Sequence, residues 1–248
     1  ATLWIADSQF TADEATTLLG LPSDRLTVIP LGVAPAFFTS PAAGVAERCR
    51  SRWRAALGGR PSPDAVFLLH VGSCVARKNV EAAIAALGVL RSQGIDACLV
   101  QVGGRFGPSH RAAAKAAGVT AQILQEPQVG EGELLAAYAA ADVLVMPSHY
   151  EGFGLPVLEA AAAGLSVVSS GAGALAEVGA DAVLVAPAGD ASALAAAVAR
   201  VATDPAVRRS LVERGRVRAR QFSWEATARS VERVYDLLAG DVPASAAL

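Results

Sequence analysis

The sequence predicts an α/β fold: a parallel sheet with helices on both faces. Three observations predict it. Short apolar runs alternate with helical segments along most of the chain, the rhythm of repeated strand–helix–strand units. Residues 142–170 give one such unit in full, as strand, polar turn, helix and strand. Hydrophobic residues make up 53% of the 248 positions and charged residues 18%, a balance that supports a sizeable core and excludes disorder.

Taken in order, Leu3 to Ala6 reads as a buried strand. Ser8 is an N-cap for a helix that ends at Gly20. Leu26 to Ile29 is a second short strand. Residues 34–63 read as a loop, a basic helix around Val45–Leu57 and a Gly/Pro-rich linker. Val66 to Val71 is a strand, followed by the loop 72–79 and a helix to about Arg91. Ala97 to Val102 is the next strand and ends in Gly103-Gly104. A helix over Ser109 to Ala117, a strand over Ala121 to Leu124 and a helix over Glu131 to Ala140 follow. Beyond the 142–170 unit, Ala182 to Val185 is a further strand, and helices fill much of Ala191 to Leu238.

In the 142–170 unit, Val143 to Met146 is an apolar run that Pro147 ends, since proline donates nothing to a sheet ladder. Gly152 and Gly154 let the loop backbone approach a ligand closely. Leu155 to Ala163 reads as a helix with Pro156 in its first turn and Gly164 as its C-terminal cap. Val167 and Val168 begin the next strand. Glu151 lies in the loop, and Glu159 lies about one turn into a helix otherwise made of Val, Leu and Ala. A carboxylate in such company needs a partner. The helix start beside the loop favours an anion. Hydroxyl acceptors beside an anion site suit a sugar nucleotide; an ordinary crossover with a solvated Glu fits the spacing equally well.

Ligands of an open parallel sheet bind at the carboxyl ends of its strands, where the loops 72–79, 103–108 and 147–154 fall. Arg77 and Lys78 are two loop cations just before a helix, where they oppose its dipole and so point to a nearby anion such as a diphosphate. As solvated loop charges they are expected to matter little for stability. Gly103-Gly104 reads first as a tight turn and second as a backbone approach to a ligand. His70 is a strand residue in or near the core, His110 a surface residue at a helix start and His149 a loop residue. Trp53 and Trp224 read as packing residues. The histidines and cysteines assemble no nucleophilic triad or metal cluster.

A net charge of −2 argues against general nucleic-acid or anionic-membrane binding. Cys49, Cys74 and Cys98 are far apart and odd in number, which implies free thiols in a reducing, cytoplasmic compartment. No apolar run reaches the length of a membrane span, and the N-terminus lacks the basic region of a signal peptide.

The run Pro147-Ser-His-Tyr-Glu-Gly-Phe-Gly-Leu-Pro-Val-Leu-Glu-Ala160 carries Glu151 and Glu159 with seven residues between them. It resembles the signature of retaining glycosyltransferases of the family 4, or group 1, kind, which have the GT-B architecture. Val71-Gly-Ser-Cys-Val-Ala-Arg-Lys-Asn79 resembles that family's Val-Gly-x-x-x-x-Arg-Lys-Asn loop, with Ser73 where many members place another Arg. Glu159-Ala-Ala-Ala-Ala-Gly-Leu-Ser-Val-Val168 departs from the usual Glu-Ala-Met-Ala-x-Gly-x-Pro-Val-Val only at Ala161 and Ser166, both conservative. The similarity runs from Ala6 to Leu238.

The resemblance implies a Rossmann-like donor-binding domain, the C-terminal half of a GT-B fold, over residues 34–240. Residues 1–33 would be the hinge from a largely absent acceptor-binding domain, and 241–248 a tail. It implies transfer of a hexosyl group from a UDP- or GDP-sugar to an acceptor hydroxyl, with no metal and no cofactor. Arg77 and Lys78 would hold the diphosphate, Glu151 would face the sugar and Glu159 the ribose. Gly72, Gly103 and Gly104, and the segment Gly152, Phe153, Gly154 and Leu155, would line the donor; Leu124 and Gln125 would lie by the base. The partner would be the N-terminal acceptor domain, through which any peripheral membrane contact would be made. Two other readings stay open: a non-catalytic or split-enzyme subunit that binds a nucleotide sugar, and a GT-B sugar-nucleotide epimerase.

Overall fold

A computed structural model describes residues 3–240 of the chain; the tail expected over 241–248 lies outside the described residues. In chain order the elements are β1 (Trp4–Ala6), α1 (Gln9–Leu19), β2 (Leu26–Val28), α2 (Val45–Ala56), β3 (Val66–Val71) and α3 (Val80–Ser92). There follow β4 (Ala97–Val102), α4 (Pro108–Ala116), β5 (Ile123–Glu126), α5 (Glu131–Ala140), β6 (Val143–Met146), α6 (Leu155–Ala163) and β7 (Ser166–Ser169). The chain closes with α7 (Ala174–Gly179), β8 (Leu184–Val185), α8 (Ala191–Thr203), α9 (Pro205–Ala219) and α10 (Trp224–Ala239).

Six strands form one parallel sheet in the order β5-β4-β3-β6-β7-β8, while β1 and β2 pair in a separate two-stranded parallel ribbon. Both faces of the larger sheet are covered. Phe67 and Leu69 point into a cluster with Trp53, Tyr138, Leu144 and Leu158, under α2, α5 and α6. Leu68, one position between them, points to the opposite cluster with Ile84, Leu87, Val145 and Val198, under α3 and α8. Burial on both sides is why β3 reads as an apolar run broken only by His70. The strand order reverses between β3 and β6, and such a switch point opens a crevice at the carboxyl edge.

The basic helix α2 is an anchor. Arg50 makes a bidentate pair with Asp142 at 3.1 and 3.0 Å and also reaches the carbonyls of Ala65 and Ala140. Asp142 accepts the Phe67 N–H at 2.8 Å, so one ion pair ties α2 to the amino ends of β3 and β6. Arg52 and the Trp53 indole both donate to the buried Glu126 at the end of β5.

The caps follow the expected chemistry. Ser8 Oγ accepts the Thr11 N–H, Gly20 and Gly164 close α1 and α6 in the left-handed region, and Ser223 caps α10. Four expectations are corrected. The strand expected over 121–124 begins two residues later, because Thr120–Gln122 folds as a 3-10 turn and the register sets Leu99 opposite Ile123. The strand expected over 182–185 is reduced to Leu184–Val185, since Ala180–Ala182 is another 3-10 turn. His110 is buried, not on the surface: its ring stacks on Phe106 and Nδ1 accepts the Gly107 N–H at 3.2 Å. Trp53 is fully buried as expected, but Trp224 is 44% exposed.

Candidate active site

The loops after β3, β4 and β6 meet at the carboxyl edge of the sheet. Asn79 sits in the left-handed region at φ 51°, and its amide donates to the Pro147 carbonyl at 3.0 Å. The His149 N–H donates to the Arg77 carbonyl, and the Arg77 guanidinium to the Tyr150 carbonyl. These bonds seam the loops on either side of the switch point. The loop after β4 joins through glycines. A Cβ on Gly104 would lie 2.8 Å from the Cys74 N, and one on Gly103 would lie 3.4 Å from the Gly72 carbonyl oxygen. Close backbone approach, not the turn alone, accounts for the pair; here the contact is loop to loop.

Three expected residues come together at this seam. Glu151 accepts Lys78 Nζ at 2.6 Å on Oε1 and Arg77 at 2.8 Å on Oε2, and Ser148 Oγ adds a third donor at 2.7 Å. Burial alone would raise the Glu151 carboxyl, but the bonds from Lys78, Ser148 and Arg77 outweigh it and hold the group below its ordinary value. Lys78 is not the solvated loop charge expected: it is 8% exposed, with its side chain folded under Gly72, where a Cβ would come within 3.6 Å of Nζ. It enters because Glu151, itself 4% exposed, compensates its charge. Arg77 keeps half of its side chain in water.

The Glu151 loop is also held from outside. Ala174 donates its N–H to the Glu151 carbonyl at 2.9 Å, and Gly173, at φ 63°, has no room for a Cβ, which would lie 2.5 Å from that oxygen. Ser8 and Thr11 hydroxyls donate to the Gly152 carbonyl at 2.6 and 3.0 Å, which packs the start of α1 onto the loop. Among the described residues no acceptor takes the N–H groups of Gly152, Phe153 or Gly154. These donors stand at the start of α6, with the helix dipole behind them. Leu155 opens the helix and packs against the core, and Phe153 turns inward onto Phe222 at a 5.9 Å centroid distance.

Glu159 lies one turn along α6, half-buried and away from the cations. Its one protein partner among the described residues is the phenol of Tyr138, which donates to Oε2 at 2.7 Å. Burial raises the Glu159 carboxyl above its ordinary value, and the Tyr138 bond only partly opposes this. Leu124 and Gln125 lie within β5 and point to opposite faces. Leu124 packs on the core under α2 and α5; Gln125 accepts the Phe106 N–H at 2.8 Å. His70 is fully buried, with no partner on either nitrogen among the described residues; burial lowers it to about 4, so it is a neutral core histidine.

The reading of the sequence missed Ser148, Ser170 and Tyr138. Ser148 had a legible signal, directly after the proline that ends β6. Ser170, which donates to the Ser148 carbonyl at 2.6 Å, and Tyr138 had none, since both depend on strand order and on helix α5 lying beside α6.

Residues 58–218 match the family described as "Glycosyl transferases group 1". The chain belongs to that family. The D-inositol 3-phosphate glycosyltransferase of Actinosynnema mirum is 33% identical to this group 1 chain, over 93% of it and 56% of the relative. The sucrose-phosphate synthase of Thermosynechococcus elongatus is 30% identical, with a TM-score of 0.76 over 96% of the chain and 58% of that structure. HepE of Anabaena, solved with UDP and glucose, has a TM-score of 0.81 at 18% identity over 95% of the chain and 63% of its own, and so shares the fold. The group 1 chain spans somewhat over half the length of these relatives. Their GT-B structures match the expected Rossmann-like sheet with helices on both faces. Among the described residues no helix is long and apolar enough to cross a membrane.

Proposed function

We infer that this chain is the donor-binding half of a retaining glycosyltransferase that moves a hexosyl group from a nucleoside diphosphate sugar to a hydroxyl acceptor. The observation that carries the reading is the convergence of Arg77, Lys78, Glu151 and the free N–H groups of residues 152–154 at the switch point. Two cations share one carboxylate, so the cluster keeps one unit of positive charge for an incoming diphosphate. That charge grows in value as the sugar–phosphate bond breaks and the leaving group becomes more anionic. Arg77 has further N–H donors in water, and Lys78 spends one of its three on Oε1. A diphosphate is therefore taken up beside the Glu151 pair, leaving Glu151 oriented to accept a sugar hydroxyl.

Glu159, with Oε1 unclaimed, serves as acceptor for the ribose hydroxyls. Leaving-group charge is met by Arg77 and Lys78 without a metal, so EDTA is expected to leave donor binding unchanged. On this reading the acceptor and its binding residues belong to a separate N-terminal domain.

The test is a thermal-shift and calorimetric comparison of UDP, GDP and ADP on the 248-residue chain. One of them, at a hundred times its Kd, is expected to stabilise the fold by about 2.7 kcal/mol. The absence of binding by all of them at millimolar concentration overturns the reading.

A further inference from the structure

Glu159 is held in an unusual way for a half-buried carboxylate. No cation and no backbone N–H reaches it among the described residues, and its one partner is a neutral phenol. Tyr138 comes from α5, the helix that leads into β6, and is 1% exposed. Its ring is packed edge-on against Phe37 at 5.7 Å, so the position of its hydroxyl is set by the core and not by solvent. The phenol takes Oε2 and leaves Oε1, which among the described residues has no partner and is not sealed from solvent. A carboxylate fixed on one oxygen by a buried donor and open on the other is built to accept a hydroxyl from outside.

We propose that Tyr138 is a positioning residue for the nucleotide, which fixes the rotamer of Glu159 and turns Oε1 toward a hydroxyl of the bound ribose. This rests on the reading of Glu159 as a ribose acceptor and adds to it the residue that makes Glu159 competent. A salt bridge would lock Glu159 more firmly but would spend its charge on the partner. A phenol holds the geometry while leaving the full negative charge to the ligand. It also favours the ionised form that can accept from two hydroxyls, against the desolvation that favours the protonated one. Among the described residues the Tyr138 hydroxyl is the titratable group that bonds Glu159, and it favours the carboxylate.

The experiment is isothermal titration of UDP and of inorganic pyrophosphate into the wild type, Tyr138→Phe, Glu159→Gln and the double variant, between pH 5 and 8. Tyr138→Phe keeps the ring and its packing on Phe37, and circular dichroism checks that the fold survives. UDP is expected to bind about three- to tenfold more weakly to Tyr138→Phe at pH 7, on the scale of one ordinary intramolecular hydrogen bond, because Tyr138 acts on the ligand only through Glu159. Pyrophosphate is expected to bind as before. The loss of UDP affinity on acidification is expected to set in at a higher pH than in the wild type, since the donor that favours the carboxylate is gone. In the Glu159→Gln background, Tyr138→Phe is expected to add little, since the charge it positions is absent. If Glu159→Gln weakens UDP but Tyr138→Phe leaves both affinity and pH profile unchanged, the positioning role is wrong and the ribose reading stands. If Tyr138→Phe weakens UDP and pyrophosphate alike, Tyr138 is only structural and the proposal fails. If Glu159→Gln leaves UDP affinity unchanged, the ribose reading falls and takes this proposal with it.

Discussion

Glu151 and Glu159 stand on one loop–helix unit, yet the fold treats them in opposite ways. Glu151 is heavily engaged: two cations and a serine hydroxyl hold it below its ordinary value and leave one acceptor position on Oε2. Glu159 is nearly alone: burial raises it, and a single phenol steadies it. The first is a carboxylate whose charge organises its neighbours. The second is a carboxylate whose charge is held in reserve. Sequence spacing makes them look like a symmetrical pair, and the tertiary contacts divide their work.

The largest expected break in this contrast is Lys78→Ala. It leaves Glu151 buried with only Arg77 and Ser148, and removing one partner of a buried ion pair costs about 3 kcal/mol or more. Urea unfolding of the ligand-free chain should show it, and adding Glu151→Gln should recover a substantial part of the loss. In the proposed glycosyltransferase, paired with an acceptor-binding domain, turnover should also fall by roughly a hundredfold, the scale of one lost electrostatic donor. An unchanged unfolding midpoint would mean that Lys78 behaves as the solvated charge its loop position suggests.

Next in size is the difference between the two carboxylates in binding. Glu159→Gln should weaken free UDP roughly tenfold, for one lost charge-assisted bond of about 1.5 kcal/mol. Glu151→Gln should weaken free UDP less, because its proposed sugar partner is absent and it acts on the diphosphate only through Arg77 and Lys78. Calorimetry on both variants decides it, and equal losses would erase the proposed division.

pH sharpens the same contrast. The depressed Glu151 contributes stability above the unfolded carboxylate range, and this is lost as pH falls through its lower folded value. The raised Glu159 has the other sign: it favours folding when protonated, and that contribution is lost as pH rises through its folded value. If Glu159 accepts the ribose hydroxyls as proposed, acidification should weaken UDP binding before it destabilises the Glu151 cluster. Titrations of UDP affinity and of the melting temperature with pH should separate in that order.

The smallest effect belongs to Arg77→Ala. Half of its side chain is in water, so its pair with Glu151 should contribute below about 1 kcal/mol to folding. Its loss should appear in pyrophosphate affinity instead, measured by calorimetry.

Much was determined by the sequence alone. The strand–helix rhythm, the caps at Ser8, Gly20 and Gly164, and the break at Pro147 depend on neighbours within a few positions, so local chemistry settles them. Arg77, Lys78 and Glu159 were legible because their chemical types conflict with their local settings, and Glu151 through the motif that resembles the group 1 signature. Only the tertiary structure decided what answers those conflicts. The strand order sets β3 beside β6, which brings Lys78 to Glu151 across 73 positions. It thereby turns an expected surface cation into a buried one. The packing of α5 on α6 brings Tyr138 to Glu159, and the register of β5 extends the strand past Leu124 to take in Gln125. Such pairings join residues far apart in the chain, and their energies depend on burial, a property of the assembled sheet and not of any local stretch of sequence.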